Sequence, residues 1–179
     1  MATNTLIRLS ATTLLCFALF LGSSDLASAA GSQSGIVVVT ASIPPSCTIG
    51  TAAIAFAAYD PVNANATVPA DQTGDIVIRC TKGASGITVG LGNGANNTGS
   101  QRRMVNSADS TTTINYEVYQ ESGRLSIWGP GDGGSVRSGA DLTGTGANVT
   151  VTMYGRIPPH QLQGTAGAYS DTLVSTILF

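Results

Sequence analysis

The stretch Gly35-Ile36-Val37-Val38-Val39-Thr40-Ala41-Ser42-Ile43 constrains this chain more than any other. It carries no charge, is rich in β-branched residues, and stops at Pro44-Pro45. Read with a period of two, Val37, Val39, Ala41 and Ile43 lie on one face and Thr40 and Ser42 on the other. A strand this apolar needs a sheet to join, because a bare edge invites pairing with another chain. The sheet belongs either to its own domain or to another copy of the protein.

Upstream, Met1 to Ala30 has the layout of a secretory signal peptide. Arg8 supplies the basic residue, Leu14 to Leu21 a short apolar run, and Ala27-Ser28-Ala29 a small-residue cleavage site. The run is too short to span a bilayer comfortably. The expected organisation is a cleaved leader over 1–30, an N-terminal strand and hinge over 31–45, and one β-sandwich domain over 46–179. No second apolar run is expected to enter a membrane. With 8 Lys and Arg against 10 Asp and Glu, no basic patch is expected to hold nucleic acid.

Two cysteines lie beyond the leader, Cys47 and Cys80. An exported chain meets an oxidising compartment, where a disulfide is the default. It would close a loop of about 33 residues and contribute roughly 3–4 kcal/mol in the loop-entropy treatment. Two free buried thiols are the competing reading. Neither cysteine has metal-ligand spacing to the lone His160, so no metal is expected.

Alternation then runs along the chain. Ile54 and Phe56 alternate before the turn signal Asp60-Pro61. Asp75 to Cys80 reads as a strand with Ile76, Ile78 and Cys80 inward. Ile87 to Leu91, Thr113 to Tyr119 and Val149 to Tyr154 follow the same rule. Leu125 to Trp128 reads as the return arm of a hairpin from Tyr119. Tyr169 to Phe179 reads as one last strand, with Leu173, Ser175, Ile177 and Phe179 on a shared face. About seven strands without period-3.6 amphipathicity make a β-sandwich the expected architecture.

Catalytic chemistry is not legible. Gly129 to Gly134 fits the letters G-x-G-x-x-G, but no helical pattern follows to meet a phosphate. No nucleophile elbow occurs, and one histidine outside any motif does not build a Ser–His or Cys–His machine. Asp109 reads as a turn residue, and Glu117 as a solvated carboxylate on the outer face of its strand. The expectation is a non-enzyme without a cofactor.

Pattern alone leaves two readings of Val37 to Ile43. It is the first strand of its own sandwich, in a self-contained binding module. Or it fills an open groove beside the last strand of a neighbour, with ladder bonds giving affinity and alternate side chains filling pockets.

The chain resembles the spore coat protein U domain family and, within it, the archaic Csu-type chaperone–usher pilins. The resemblance is carried by Gly35-Ile36-Val37 running to Ser46-Cys47-Thr48-Ile49, Ile54-Ala55-Phe56 before Tyr59-Asp60, and Ile76-Val77-Ile78-Arg79-Cys80. It continues through Arg103-Met104, Ile114 to Tyr119, Tyr154-Gly155-Arg156-Ile157-Pro158, and Gly167 to Leu173 before Phe179. Membership implies an all-β, incomplete immunoglobulin-like sandwich completed by a donated strand from a neighbouring subunit. It implies a periplasmic chaperone that lends the strand, an outer-membrane usher that exchanges it, and a head-to-tail polymer of pilin subunits on the cell surface, serving adhesion and biofilm formation. Val37, Val39, Ala41 and Ile43 match the donor face, and Cys47 and Cys80 the family disulfide. Leu173, Ser175, Ile177 and Phe179 match the groove edge that chaperone and donor pair with. Ala41 departs from the pattern, being small for a pocket-filling position. A surface-coat role is the alternative that the family name itself carries.

Overall fold

The computed structural model describes residues 31–50, 52–130, 135–139 and 141–179. The proposed signal peptide and Gly131 to Gly134 of the glycine-rich loop lie outside them. The chain divides at Thr40/Ala41 into an N-terminal unit and a body running to Phe179. Residues 31–46 carry no regular secondary structure.

The described residues of the body form nine strands: β1 (Cys47–Ile49), β2 (Ala70–Cys80), β3 (Thr88–Leu91), β4 (Arg102–Asn106), β5 (Thr113–Tyr119), β6 (Arg137–Ser138), β7 (Asn148–Ile157), β8 (Tyr169–Ser170) and β9 (Ser175–Leu178). No helix occurs among the described residues. A six-stranded sheet has the order β1-β2-β7-β5-β4-β8, and a three-stranded sheet the order β6-β3-β9. The spine is the antiparallel β2–β7 pair, in register from Ala70↔Ile157 to Arg79↔Asn148. Its alternation places Ile76, Ile78, Val151 and Met153 in the core. Ile114, Tyr116 and Val118 join them from β5, and Val89 and Leu91 from the small sheet. Cys47 and Cys80 are directly opposed in the β1–β2 register and joined by a disulfide, with Cα atoms 4.1 Å apart.

Two expected elements differ. The last strand is divided: β8 pairs with β4 in the large sheet, and β9 pairs with β3 in the small one. The chain therefore crosses between sheets over Asp171 to Val174. The return arm after Tyr119 is shorter than a strand, with one bridge, Tyr119↔Ile127, before Trp128 turns into the core.

Two side chains tie the sheets together, and neither is a simple apolar core residue. The Trp128 indole N–H donates to the Val89 carbonyl at 2.7 Å, while its backbone N–H donates to the Val118 carbonyl. Arg102, only 1% exposed, reaches from β4 to the end of β3. Its guanidinium donates to the carbonyls of Leu91, Gly92 and Trp128, and pairs with Glu117 at 3.3 Å. Burial pushes the Arg102 pKa down and the Glu117 pKa up, each opposed by the partner's charge. Glu117 is thus not a solvated carboxylate: it is 13% exposed and neutralises a buried cation. Alternation alone put it on the outer face, and the guanidinium beside it was invisible to that rule.

Removing one member of a buried charge pair leaves the other unpaired, which costs about 3–5 kcal/mol. Arg102→Met is therefore expected to lower unfolding free energy by about that amount in urea titration. Adding Glu117→Gln to that variant should recover part of the loss.

Candidate functional site

Beyond β1, the chain leaves the edge of β2. Two inward-facing glycines permit this. A Cβ on Gly155 of β7 would lie 2.7 Å from the Phe56 ring and 3.0 Å from Ile54. One on Gly74 of β2 would run into the Ala53 carbonyl. Residues 52–58 therefore cross the inner face of the large sheet, with Ile54 and Phe56 packed against the core. This crossing ends their ladder with β2. Among the described residues, no backbone group of 52–58 bonds to another backbone group; the Ala55 carbonyl accepts only from the Gln72 side chain.

Opposite runs the crossover from β8 to β9. Leu173, Ser175 and Ile177 are half-buried, Val174 and Leu178 are exposed, and Phe179 is 53% exposed. β9 is the end strand of its sheet, so its outer edge has no ladder partner among the described residues. Asp171 fixes the start of this segment. Its carboxylate accepts from the Tyr116 hydroxyl at 2.7 Å and from the backbone and side chain of Asn96. Burial and the Asp171 charge together push the Tyr116 pKa up, so the phenol stays a donor.

Between these two lips the core is open. One cleft of about 600 Å³ reaches Ile76, Leu91, Met153 and Leu173. A second of about 740 Å³ reaches Ile114, Ile157 and Gly164. Both are lined by Ile54, Phe56, Met104 and Tyr169, so they form one groove. Ile76, Leu91, Met153 and Ile157 give its floor apolar ground, and, among the described residues, 52–58 and the outer edge of β9 leave backbone along its rims without a ladder.

Of the residues singled out in the sequence, Leu173, Ser175 and Ile177 stand on one lip, and Phe179 just past it. Cys47 and Cys80 sit at the end where β1 is still paired. Val37, Val39 and Ile43 are 82–89% exposed, Ala41 is exposed, and none of the four lies in a strand. The other lip, Ile54 and Phe56, read from sequence only as an ordinary alternating strand. The signal that could have found it was a glycine at an inward position of two otherwise regular strands. Among the described residues, no group of three His, Cys, Asp or Glu side chains could hold a metal ion. Asp109 caps a turn, its carboxylate held below the usual range by hydrogen bonds from Thr111 and Thr112.

Residues 33–176 match the Spore Coat Protein U domain. The chain belongs to this family. Protein U of Myxococcus xanthus is 36% identical over 150 residues, covering 78% of this chain and 80% of that protein. A solved chain of the chaperone–tip adhesion subunit pre-assembly complex of the archaic chaperone–usher Csu pili of Acinetobacter baumannii is also similar. It has 21% identity and a TM-score of 0.48 over 76% of this chain, which spans 40% of that chain's length. In this spore coat protein U domain, the groove leaves the sandwich open between residues 52–58 and the β8–β9 segment.

Both lips yield tests. Gly155→Val should displace Phe56 and cost about 1–3 kcal/mol, as overpacking does, read as a fall in the urea midpoint. Tyr116→Phe removes a hydrogen bond to a charged acceptor, about 1.5–3 kcal/mol. It should also speed amide hydrogen exchange over 171–174 relative to the β2–β7 spine.

Proposed function

We propose that this chain is the structural subunit of a chaperone–usher surface pilus, and that it polymerises by strand donation. The observation that carries the reading is the pairing of deficits within one chain. The groove lacks a strand, and the segment Val37 to Ile43 lacks a sheet. Seven residues of extended chain span about 20 Å, and Leu173 to Phe179, the lip together with the residues just past it, is the same seven residues long. Inserted between the lips, the donated segment would satisfy unpaired backbone on both sides. Val37, Val39, Ala41 and Ile43 would turn their common face to the apolar floor.

Burial of that face, at about 25 cal/mol per Å², makes the joint strong. Release requires opening the acceptor body, so much of its durability would be kinetic. A head-to-tail contact that does not close on itself propagates as a fibre. Before assembly, a periplasmic chaperone would cover the groove along Leu173, Ser175, Ile177 and Phe179, and an outer-membrane usher would exchange it for the next subunit. Surface display, adhesion and biofilm support follow from that assembly. The self-contained sandwich draws no support from the exposed, unladdered state of residues 37–43.

The test is SDS electrophoresis of protein sheared from the cell surface. A ladder that collapses to monomer on boiling is expected. A monomer band before boiling would overturn the reading. Deleting Gly35 to Ile43 should abolish the ladder while leaving chaperone binding intact, and Ile43→Asp should thin the ladder.

A further inference from the structure

The body has two ends, set by β2, whose 11 residues span roughly 33 Å. At one end lie the disulfide, the Thr81–Gly86 turn with exposed Lys82, and the Gly144–Gly146 turn bonded to it. At the other lie the Asp60–Val68 loop and the segment after β7, joined by His160 N–H to the Asn65 carbonyl at 2.9 Å. The Tyr59 hydroxyl reinforces that junction, donating to the Pro158 carbonyl and accepting from the Gln161 N–H. The groove opens at this second end, where Tyr59, Asp60, Pro61 and Gly164 line it.

The second end displays apolar side chains that no packing within the body requires. Val62 is 78% exposed, Val68 57% and Leu162 56%. Their loop is not slack. The Asp60 carboxylate accepts from the N–H groups of Val62 and Asn63, Asn65 bonds Asp60 through backbone and side chain, and the Asn65 amide donates to the Val68 carbonyl. A loop held by its own polar residues while presenting valine to water is preorganised for a contact.

What covers it follows from the tether. Ile43 and Cys47 are four Cα steps apart, at most about 14 Å. Pro44 and Pro45 stiffen that link further. A donor seated in the groove therefore brings its own body against the acceptor. The donor segment leaves its body at Cys47, at the disulfide end. Two neighbours cannot stand on one end, so in a fibre the incoming body stands on the other. We propose that Val62, Val68 and Leu162 form a second subunit–subunit contact, occupied by the disulfide end of the next copy around Lys82. This rests on the strand-donation reading and goes beyond it. Asp60 at the foot of the loop would face a surface carrying Lys82, a complementary charge.

The sequence contains one lysine, which makes the test specific. Val62→Cys fibres are treated with a short amine–thiol cross-linker whose reach is well below the length of β2, so Cys introduced at 62 cannot meet Lys82 of its own body. Leu162→Cys serves as a second attachment point. The expected result is a 62–82 or 162–82 cross-linked peptide by mass spectrometry, with ladder rungs that survive boiling. The chaperone-bound subunit should give neither. Fibres that show the heat-sensitive ladder but yield no link to Lys82 from either position overturn this contact and leave strand donation standing. Absence of any ladder in the unmodified protein overturns both.

Discussion

Backbone N–H and C=O groups beside an apolar core must find partners, and along much of two lips of this body the described residues do not provide them. Residues 52–58 on one side and the outer edge of β9 on the other flank a groove that reaches Ile76, Leu91 and Met153. Everything distinctive about the molecule follows from that unsatisfied pair of edges. An unpaired edge beside exposed apolar surface is a template for another strand, and most proteins blunt such edges with charge, proline or a bulge. Here the lips, residues 52–58 and 173–178, contain neither charge nor proline.

An open core must still hold its shape. The Arg102 and Trp128 bonds do this from the far side of the groove, linking the end of β3 to β4 and β5 through fixed donors rather than through packing alone. Hydrogen bonds of this kind set a distance between the sheets that apolar contact does not, because dispersion tolerates sliding. The Tyr116–Asp171–Asn96 network extends the same device to the crossover segment. The groove is therefore bounded by an inter-sheet bracket, not by a gap awaiting collapse.

Much of this was legible in sequence, and the exceptions have physical causes. The period-two rule placed Ile76, Ile78, Ile114, Tyr116, Val118, Val151 and Met153 inward, and all are buried. It worked because each of those strands keeps one face on one core. It failed for Tyr169 to Phe179, where the alternation continues unbroken while the chain changes sheets. Side-chain period reports which face is buried, not which strand is paired. The reading of Glu117 as solvated failed too, since a charge on the outer face of a strand reads as solvent-facing unless its counter-ion, here Arg102, is known. The crossing of 52–58 was written in Gly74 and Gly155, but a glycine in a strand signals close approach without naming what approaches.

The position of the disulfide has a mechanical consequence. Any pull on the N-terminal segment arrives at the body through Cys47. The three residues of β1 alone would peel from β2 one ladder bond at a time. Because Cys47 is covalently tied to Cys80, the load bypasses β1 and passes directly into β2, the longest strand of the body. From there the ten-residue register with β7 shares it in shear rather than as an unzipping front. Tension at the terminus is thus carried by the spine, while the part of the cysteine-closed loop before β2, residues 50–69, which includes one lip of the groove, stays out of the load path.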